Sequence, residues 1–210
     1  MLVGFFVAQT LLWVSLIFNI SGKDRVSFAA LGARGTPWIR QFVIPLLVVL
    51  AFQLVMIRTA RWKRSVWHEP ARTTRRWLIV FPTLMLLLAA GSRLVSAMPE
   101  VDGNYLVGMT ATVALVGITE ELTFRGILLV GGRRTFPHEW QVVVFTGALF
   151  GLFHLPNVML GAAIGATLVQ VVQTAVVGTA FYALRRVSGL LVPCMVLHAV
   201  YDWLVLIGKV

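Results

Sequence analysis

Residues 105–130 read Tyr105-Leu-Val-Gly-Met-Thr-Ala-Thr-Val-Ala-Leu-Val-Gly-Ile-Thr-Glu120-Glu121-Leu-Thr-Phe-Arg125-Gly-Ile-Leu-Leu-Val130. Nearly every residue suits hydrocarbon, yet two carboxylates and a guanidinium stand near the middle. An ionised side chain at the centre of a bilayer costs roughly 2.5–3.5 kcal/mol on insertion scales. A chain that keeps three of them there either pairs them or uses them, and the remaining residues decide which.

The surrounding composition points the same way. Of 210 residues, 59% are hydrophobic and 12% are charged, about half the charged share of a soluble chain, and mean hydropathy is +0.87. These values predict an all-α, polytopic membrane helix bundle in one domain spanning 1–210. The longest polar interval, 58–76, is too short for a separate folded unit. A net charge of +10 in such a chain reflects loops facing anionic headgroups. No basic patch interleaved with aromatic residues appears, so nucleic acid is not an expected partner. The single cysteine, Cys194, excludes an intrachain disulfide and a cysteine-based zinc site.

A helix needs about 20 apolar residues to cross roughly 30 Å of hydrocarbon. On that ruler seven spans are predicted, at 2–20, 41–57, 77–97, 105–130, 140–156, 159–184 and 189–208. The first lacks a basic leader and a small-residue cleavage site, so it reads as a retained span. Pro156 closes the fifth, because proline disfavours helical geometry at the preceding residue. Arg58, Arg61, Lys63, Arg64, Arg72, Arg75, Arg76, Arg133, Arg134, Arg185 and Arg186 fall in loops on one side. Lys23, Arg25, Arg34, Arg40 and Lys209 fall on the other. The excess predicts a cell-membrane protein with a cytoplasmic N-terminus and its C-terminus on the opposite side. Gly147-x-x-x-Gly151 and Gly161-x-x-x-Gly165 are spacings that permit close helix contact.

Within the spans, Glu121 and Arg125 are four residues apart with the acid on the N-terminal side, the favourable order for an ion pair. Such a pair would neutralise Glu121 and leave Glu120 without a local partner. In the fifth span His154 is the only strongly polar side chain between Thr146 and Asn157. In the seventh, His198 and Asp202 share a face four residues apart, as do Cys194 and His198. At 1.5 Å per residue, Glu120 and His198 each lie about 15 Å from the basic end, and His154 about 20 Å. Three helices can thus bring Glu120, His154, His198 and Asp202 to one level. His138-Glu139 begins like a zincin motif, but Val142 stands where the second histidine belongs. His138, Glu139 and His68 read as solvated loop residues.

Taken together, Glu120-Glu121-x-x-x-Arg125, Phe150-x-x-x-His154 and His198-x-x-x-Asp202 resemble the three ordered motifs of the CPBP family. That family comprises the type II CAAX prenyl endopeptidases and bacteriocin-processing or self-immunity membrane proteins. The resemblance covers about 118–203. It makes 105–208 the motif-bearing catalytic core and leaves 1–100 as N-terminal spans of unassigned role. It implies an intramembrane glutamic protease in which Glu120 activates water with help from His154, while His198 and residue 202 stabilise the oxyanion. Glu121, Arg125 and Phe150 are supporting residues. The chemistry is coherent: a carboxylate withdrawn from bulk water holds a proton more tightly, as a base working near neutral pH must. The prenyl endopeptidases carry Asn at the last position and this chain carries Asp202, which as a carboxylate cannot donate to an oxyanion but can orient His198.

The resemblance implies an endopeptidase that needs no metal or other cofactor, acting on a peptide or protein substrate that is itself membrane-bound in some family members. Membrane lipids are the other expected partner. Two alternatives keep the same residues: a metalloprotease, since two Glu, two His and an Asp can ligate zinc, and a non-catalytic immunity factor, scaffold or proton-coupled protein.

Overall fold

The computed structural model describes residues 2–21, 39–70, 72–94 and 103–207. They form helices α1 (Leu2–Ser21), α2 (Ile44–Thr59), α3 (Lys63–Trp67), α4 (Val80–Leu94), α5 (Gly103–Glu121), α6 (Leu129–Gly132), α7 (Glu139–Leu152), α8 (Ile164–Ser188) and α9 (Val192–Leu206). Among the described residues there is no β-strand, only one isolated bridge between His68 and Leu190. Residues 95–97 and 208 of the expected third and seventh spans, and the basic residues Lys23, Arg25, Arg34 and Lys209, lie outside the described residues.

The chain is an all-α bundle, as its composition requires. Helices covering Gln41–Thr59, Glu139–Leu160 and Ile164–Ser188 are long and apolar enough to cross a membrane. Leu2–Leu16, Arg76–Ser92 and Val192–Leu206 are apolar but shorter. Leu87, Leu88, Val172 and Val176 point outward, which places an apolar coat where a soluble protein carries polar groups.

Three departures from the expected spans matter for the site. The stretch 105–130 is not one regular helix. Directly after Glu121 it widens into a π-helical segment, Leu122–Leu128, every residue of which is buried, before resuming as α6. Single wide turns of this kind cluster at functional sites. The fifth helix stops at Leu152, earlier than Pro156 alone predicts. His154 N–H turns back to the Gly151 carbonyl, at 3.0 Å, and its ring Nδ1–H donates to the Phe150 carbonyl, at 2.9 Å. The histidine ring satisfies the acceptor that a continuing helix would have used, and Pro156 then opens a 3-10 turn, Leu155–Leu160.

The third departure is at the polar interval 58–76, which keeps its basic side chains exposed but is anchored to the bundle. Trp62 and Val66 on either side of the start of α3 are buried. Backbone bonds from Glu69 N–H to Gly189 O (2.9 Å), Leu191 N–H to Trp67 O (3.2 Å) and Thr73 N–H to Arg186 O (2.9 Å) stitch it to the α8–α9 corner. That corner turns at Gly189, whose φ of 81° is a left-handed conformation that ends helices without steric cost only at glycine.

The most extensive contacts are α5 on α9 and α7 on α8. Small residues set both. A Cβ on Gly151 would overlap the Val171 carbonyl, and one on Gly147 would lie 3.3 Å from the Ala175 carbonyl. The first glycine pair is therefore a packing motif. The second is not: Gly161 ends the 3-10 turn with φ 90°, and Gly165 faces open space. On α5 the decisive glycine is Gly117. A Cβ there would stand 2.7 Å from the Met195 carbonyl and 3.0 Å from the Ala199 nitrogen, so backbone would have to move. Gly117→Ala is expected to push α9 from α5 and lower stability by about 1–3 kcal/mol, the usual range for overpacking. Thermal unfolding in detergent measures it. An unchanged midpoint would show that the two helices separate freely.

Candidate active site

Glu120 and Glu121 end α5 one turn beyond Gly117, and the close approach of α9 brings His198 over them. The Glu121 side chain is fully buried, at 0% exposure, and its Oε1 accepts from Arg125 Nη1 at 2.8 Å and from His198 Nδ1–H at 2.9 Å. The Arg125 guanidinium also donates to the Gly178 carbonyl on α8, at 2.9 Å, and lies 4.3 Å from the centre of the Phe150 ring. The expected Glu121–Arg125 pair forms, but it is not self-contained. It holds α8 through Gly178 and fixes the tautomer-determining nitrogen of His198.

With Nδ1 committed to Glu121, His198 presents Nε2 to the remaining carboxylates. Glu120 Oε2 lies 3.8 Å away and Asp202 Oδ2 lies 3.6 Å away. The imidazole is stacked on Phe181, ring centres 4.7 Å apart, and meets Phe150 edge-on at 5.8 Å. Glu120 Oε2 is buried and has no hydrogen-bond partner. Beside it, a cavity of about 30 Å³ lies between Gln9, Trp13, Thr119 and Phe153, which is room for a water or two.

His154 reaches this centre differently. Its ring meets Phe150 edge-on at 5.3 Å, so the Phe150 ring stands against both histidines. With Nδ1–H on the Phe150 carbonyl, Nε2 is its remaining polar atom. The structure thus collects Glu120, Glu121, Arg125, His198 and Asp202 in direct contact, and sets His154 next to them across Phe150. Cys194, one turn before His198, takes no part: it is buried and its thiol donates to the Phe181 carbonyl, at 3.4 Å. Among the described residues, no three His, Cys, Asp or Glu side chains form a metal-holding group.

Two further groups of residues support the site, and the first carries the same sequence signal that exposed Glu120: a polar side chain in an apolar run. Gln53 Nε2 donates to the Thr119 carbonyl and to Thr123 Oγ1, both at 2.9 Å, and to Gln9 Oε1 at 3.0 Å. Gln9 Nε2 donates to Thr123 Oγ1, at 2.7 Å. This knot of buried amides ties α1 and α2 to the turn that carries Glu120, and it lies on 1–100, the spans whose role the motifs left open. Gln53→Leu removes the shared donor and is expected to cost about 1–3 kcal/mol, as when buried acceptors lose their partner. Thermal unfolding in detergent tests it, and a change below about 0.5 kcal/mol, the scatter of ordinary surface substitutions, would show the knot to be incidental.

The second group sits at the basic end. Glu69, fully buried, pairs with Arg133 at 2.8 Å and Arg185 at 3.3 Å. Glu139 pairs with Arg133 at 2.6 Å and Arg186 at 2.9 Å and accepts from the Tyr182 hydroxyl at 2.6 Å. Burial opposes the Arg133 charge, but the hydrogen bonds and proximity of Glu139 and Glu69 outweigh it and push its pKa up. Glu139 is therefore the hub of an ion cluster joining the α6–α7 connection to α8, not the solvated loop residue its position suggested.

An all-helical membrane protein that withdraws a glutamate, a histidine pair and an aspartate into its interior has the organisation of a membrane-embedded enzyme. Residues 102–204 match the family described as type II CAAX prenyl endopeptidase Rce1-like. The chain thus carries a domain of this protease type over 102–204, and every motif residue from Glu120 to Asp202 falls inside the match. No curated protein and no solved structure shows significant similarity to the chain.

Proposed function

We propose that the protein is an intramembrane endopeptidase in which Glu120 activates the attacking water without a metal ion. The observation that carries this reading is Glu120 itself. Its Oε2 is buried without a hydrogen bond, borders a water-sized cavity and lies 3.8 Å from His198 Nε2. A buried carboxylate oxygen left without a hydrogen bond is costly, and a water bound there would offset part of that cost.

In the proposed reaction Glu120 takes a proton from water as the water oxygen attacks the scissile carbonyl carbon. The resulting oxyanion accepts from Nε2–H of His198 in its doubly protonated form, a charge balanced by Glu121 at Nδ1 and by Asp202, 3.6 Å from Nε2, which also orients the ring. Asp202 thereby does through His198 what an asparagine does directly. His154, whose Nε2 is left free by the Nδ1 bond to Phe150, positions the water. The C–N bond then breaks as Glu120 returns the proton to the leaving nitrogen. Preorganised donors at a developing oxyanion lower such barriers more than any other single device.

The substrate class is a peptide or protein held at the membrane, for which the family's CAAX prenyl endopeptidases provide the precedent. The arginine-rich end faces the cytoplasm in this reading, with the apolar helices forming a multi-pass bundle. Cleavage of a membrane-anchored reporter peptide, with and without a strong chelator, tests the chemistry. Activity that persists with chelator and disappears in Glu120→Gln supports it. Loss with chelator, restored by zinc, would favour the metalloprotease, and full activity in Glu120→Gln would remove Glu120 from the reaction.

A further inference from the structure

At the basic end, away from Glu120, a trough of about 310 Å³ opens between the start of α1 and the α6–α7 connection. Its volume is at the lower end of the roughly 300–1,000 Å³ typical of small-molecule sites. Leu2 and Val3 form one wall, Phe136 and Phe145 the other. The polar end is made by Arg134 and Thr135, with Trp62 behind them. The Arg134 guanidinium lies over the Trp62 ring, 5.0 Å from its centre.

Arg134 differs from its neighbours. The described carboxylates at this end are Glu69 and Glu139, and Arg133, Arg185 and Arg186 already share both. Arg134 forms no ion pair among the described residues. Stacking on Trp62 occupies the face of the guanidinium and leaves its N–H edge, a planar fork that matches phosphate oxygens. Exposed Trp77 and Trp140 flank the same end, where indole rings mark the level of lipid headgroups. The site thus offers one cation at headgroup level and an apolar wall running from it.

We propose that this trough binds an anionic glycerophospholipid, its phosphodiester on Arg134 and one acyl chain along Leu2, Val3, Phe136 and Phe145. The wall selects an amphiphile over a soluble anion, and the uncompensated cation selects an anionic lipid over a zwitterionic one. Basic pockets between membrane helices select headgroups by this combination. The lipid would join α1 to the α6–α7 connection, next to the place where Leu2 already packs against Gly131 of α6.

Native mass spectrometry of the detergent-solubilised full chain, incubated with phosphatidylglycerol or phosphatidylcholine, tests the proposal. The protein is expected to retain phosphatidylglycerol in preference. Arg134→Ala, an exposed position that does not threaten folding, is expected to lower that retention about five- to ten-fold, the worth of one charge near an anionic headgroup together with its hydrogen bond. Val3→Trp, which fills the trough and leaves the charge, is expected to lower it as well. Arg75→Ala, an exposed arginine outside the trough, is expected to leave it unchanged. Equal retention of the two lipids, or full retention by Arg134→Ala, would overturn the proposal. Displacement of phosphatidylglycerol by millimolar inorganic phosphate would overturn it too, by assigning the site to a free anion.

Discussion

Glu120→Gln is expected to lower peptide cleavage by about 10²–10⁴-fold, the contribution of a general base, while the purified chain keeps its thermal unfolding midpoint. The amide has the size of the carboxylate and fits the same space beside Gln9, Thr119 and Phe153. It cannot take a proton from water. The unfolding midpoint should hold because Glu120 Oε2 makes no hydrogen bond, and the hydrogen bond that fixes His198 belongs to Glu121. Initial rates on the reporter peptide, set beside unfolding curves of the same preparation, are the measurement. A drop in rate that merely tracks a drop in folded fraction would assign Glu120 a structural role.

Glu121→Ala is expected to act on stability instead, by about 3–5 kcal/mol, the cost of stranding a buried charge. The substitution removes the acceptor of both Arg125 and His198 from a position with no solvent access. A second substitution separates the two consequences. Replacing the pair together, Glu121→Ala with Arg125→Met, leaves no orphaned guanidinium. Apolar replacements of whole buried pairs are often neutral, so much of the stability should return. Cleavage should not return, because His198 has lost the bond that directs its Nε2 toward Glu120 and Asp202. Recovery of both quantities would mean that Glu121 serves only to neutralise Arg125.

The adjacent glutamates show how closely sequence and structure agree, and where they part. Spacing alone separates Glu121, which has Arg125 one turn on, from Glu120, which has no partner nearby. The pair forms as expected. The acid engaged by His198 through a short hydrogen bond is nonetheless Glu121, with Glu120 at 3.8 Å. Helical spacing describes neighbours on one helix and is silent about which of two adjacent side chains a second helix will meet. Gly117 decides that, by letting the α9 backbone come within a distance that any Cβ would forbid. His154 illustrates the same limit. Its depth along an assumed helix suggested a face of α7, whereas it stands past the helix end because its own ring takes the Phe150 carbonyl.

Gln9 and Gln53 were visible as polar side chains in apolar spans, yet nothing local marks them as partners of each other, and they are 44 residues apart. Glu139 reads as solvated because polar residues in a loop usually are, and it is the packing of Arg133, Arg186 and Tyr182 around it that makes it the centre of an ion cluster.

By itself the sequence determined the helical class, the apolar setting and the identity of the polar residues that need explaining. Each follows from the energetics of single residues and of neighbours on one helix, which hydropathy and a 3.6-residue period describe. The tertiary structure alone decided which nitrogen of His198 faces which carboxylate, that the chain widens into a π-helical segment after Glu121, and that the N-terminal helices brace the Glu120 turn. Those depend on distances between backbones far apart in the chain, set by glycines at helix contacts and by buried hydrogen bonds that form only when the helices have packed.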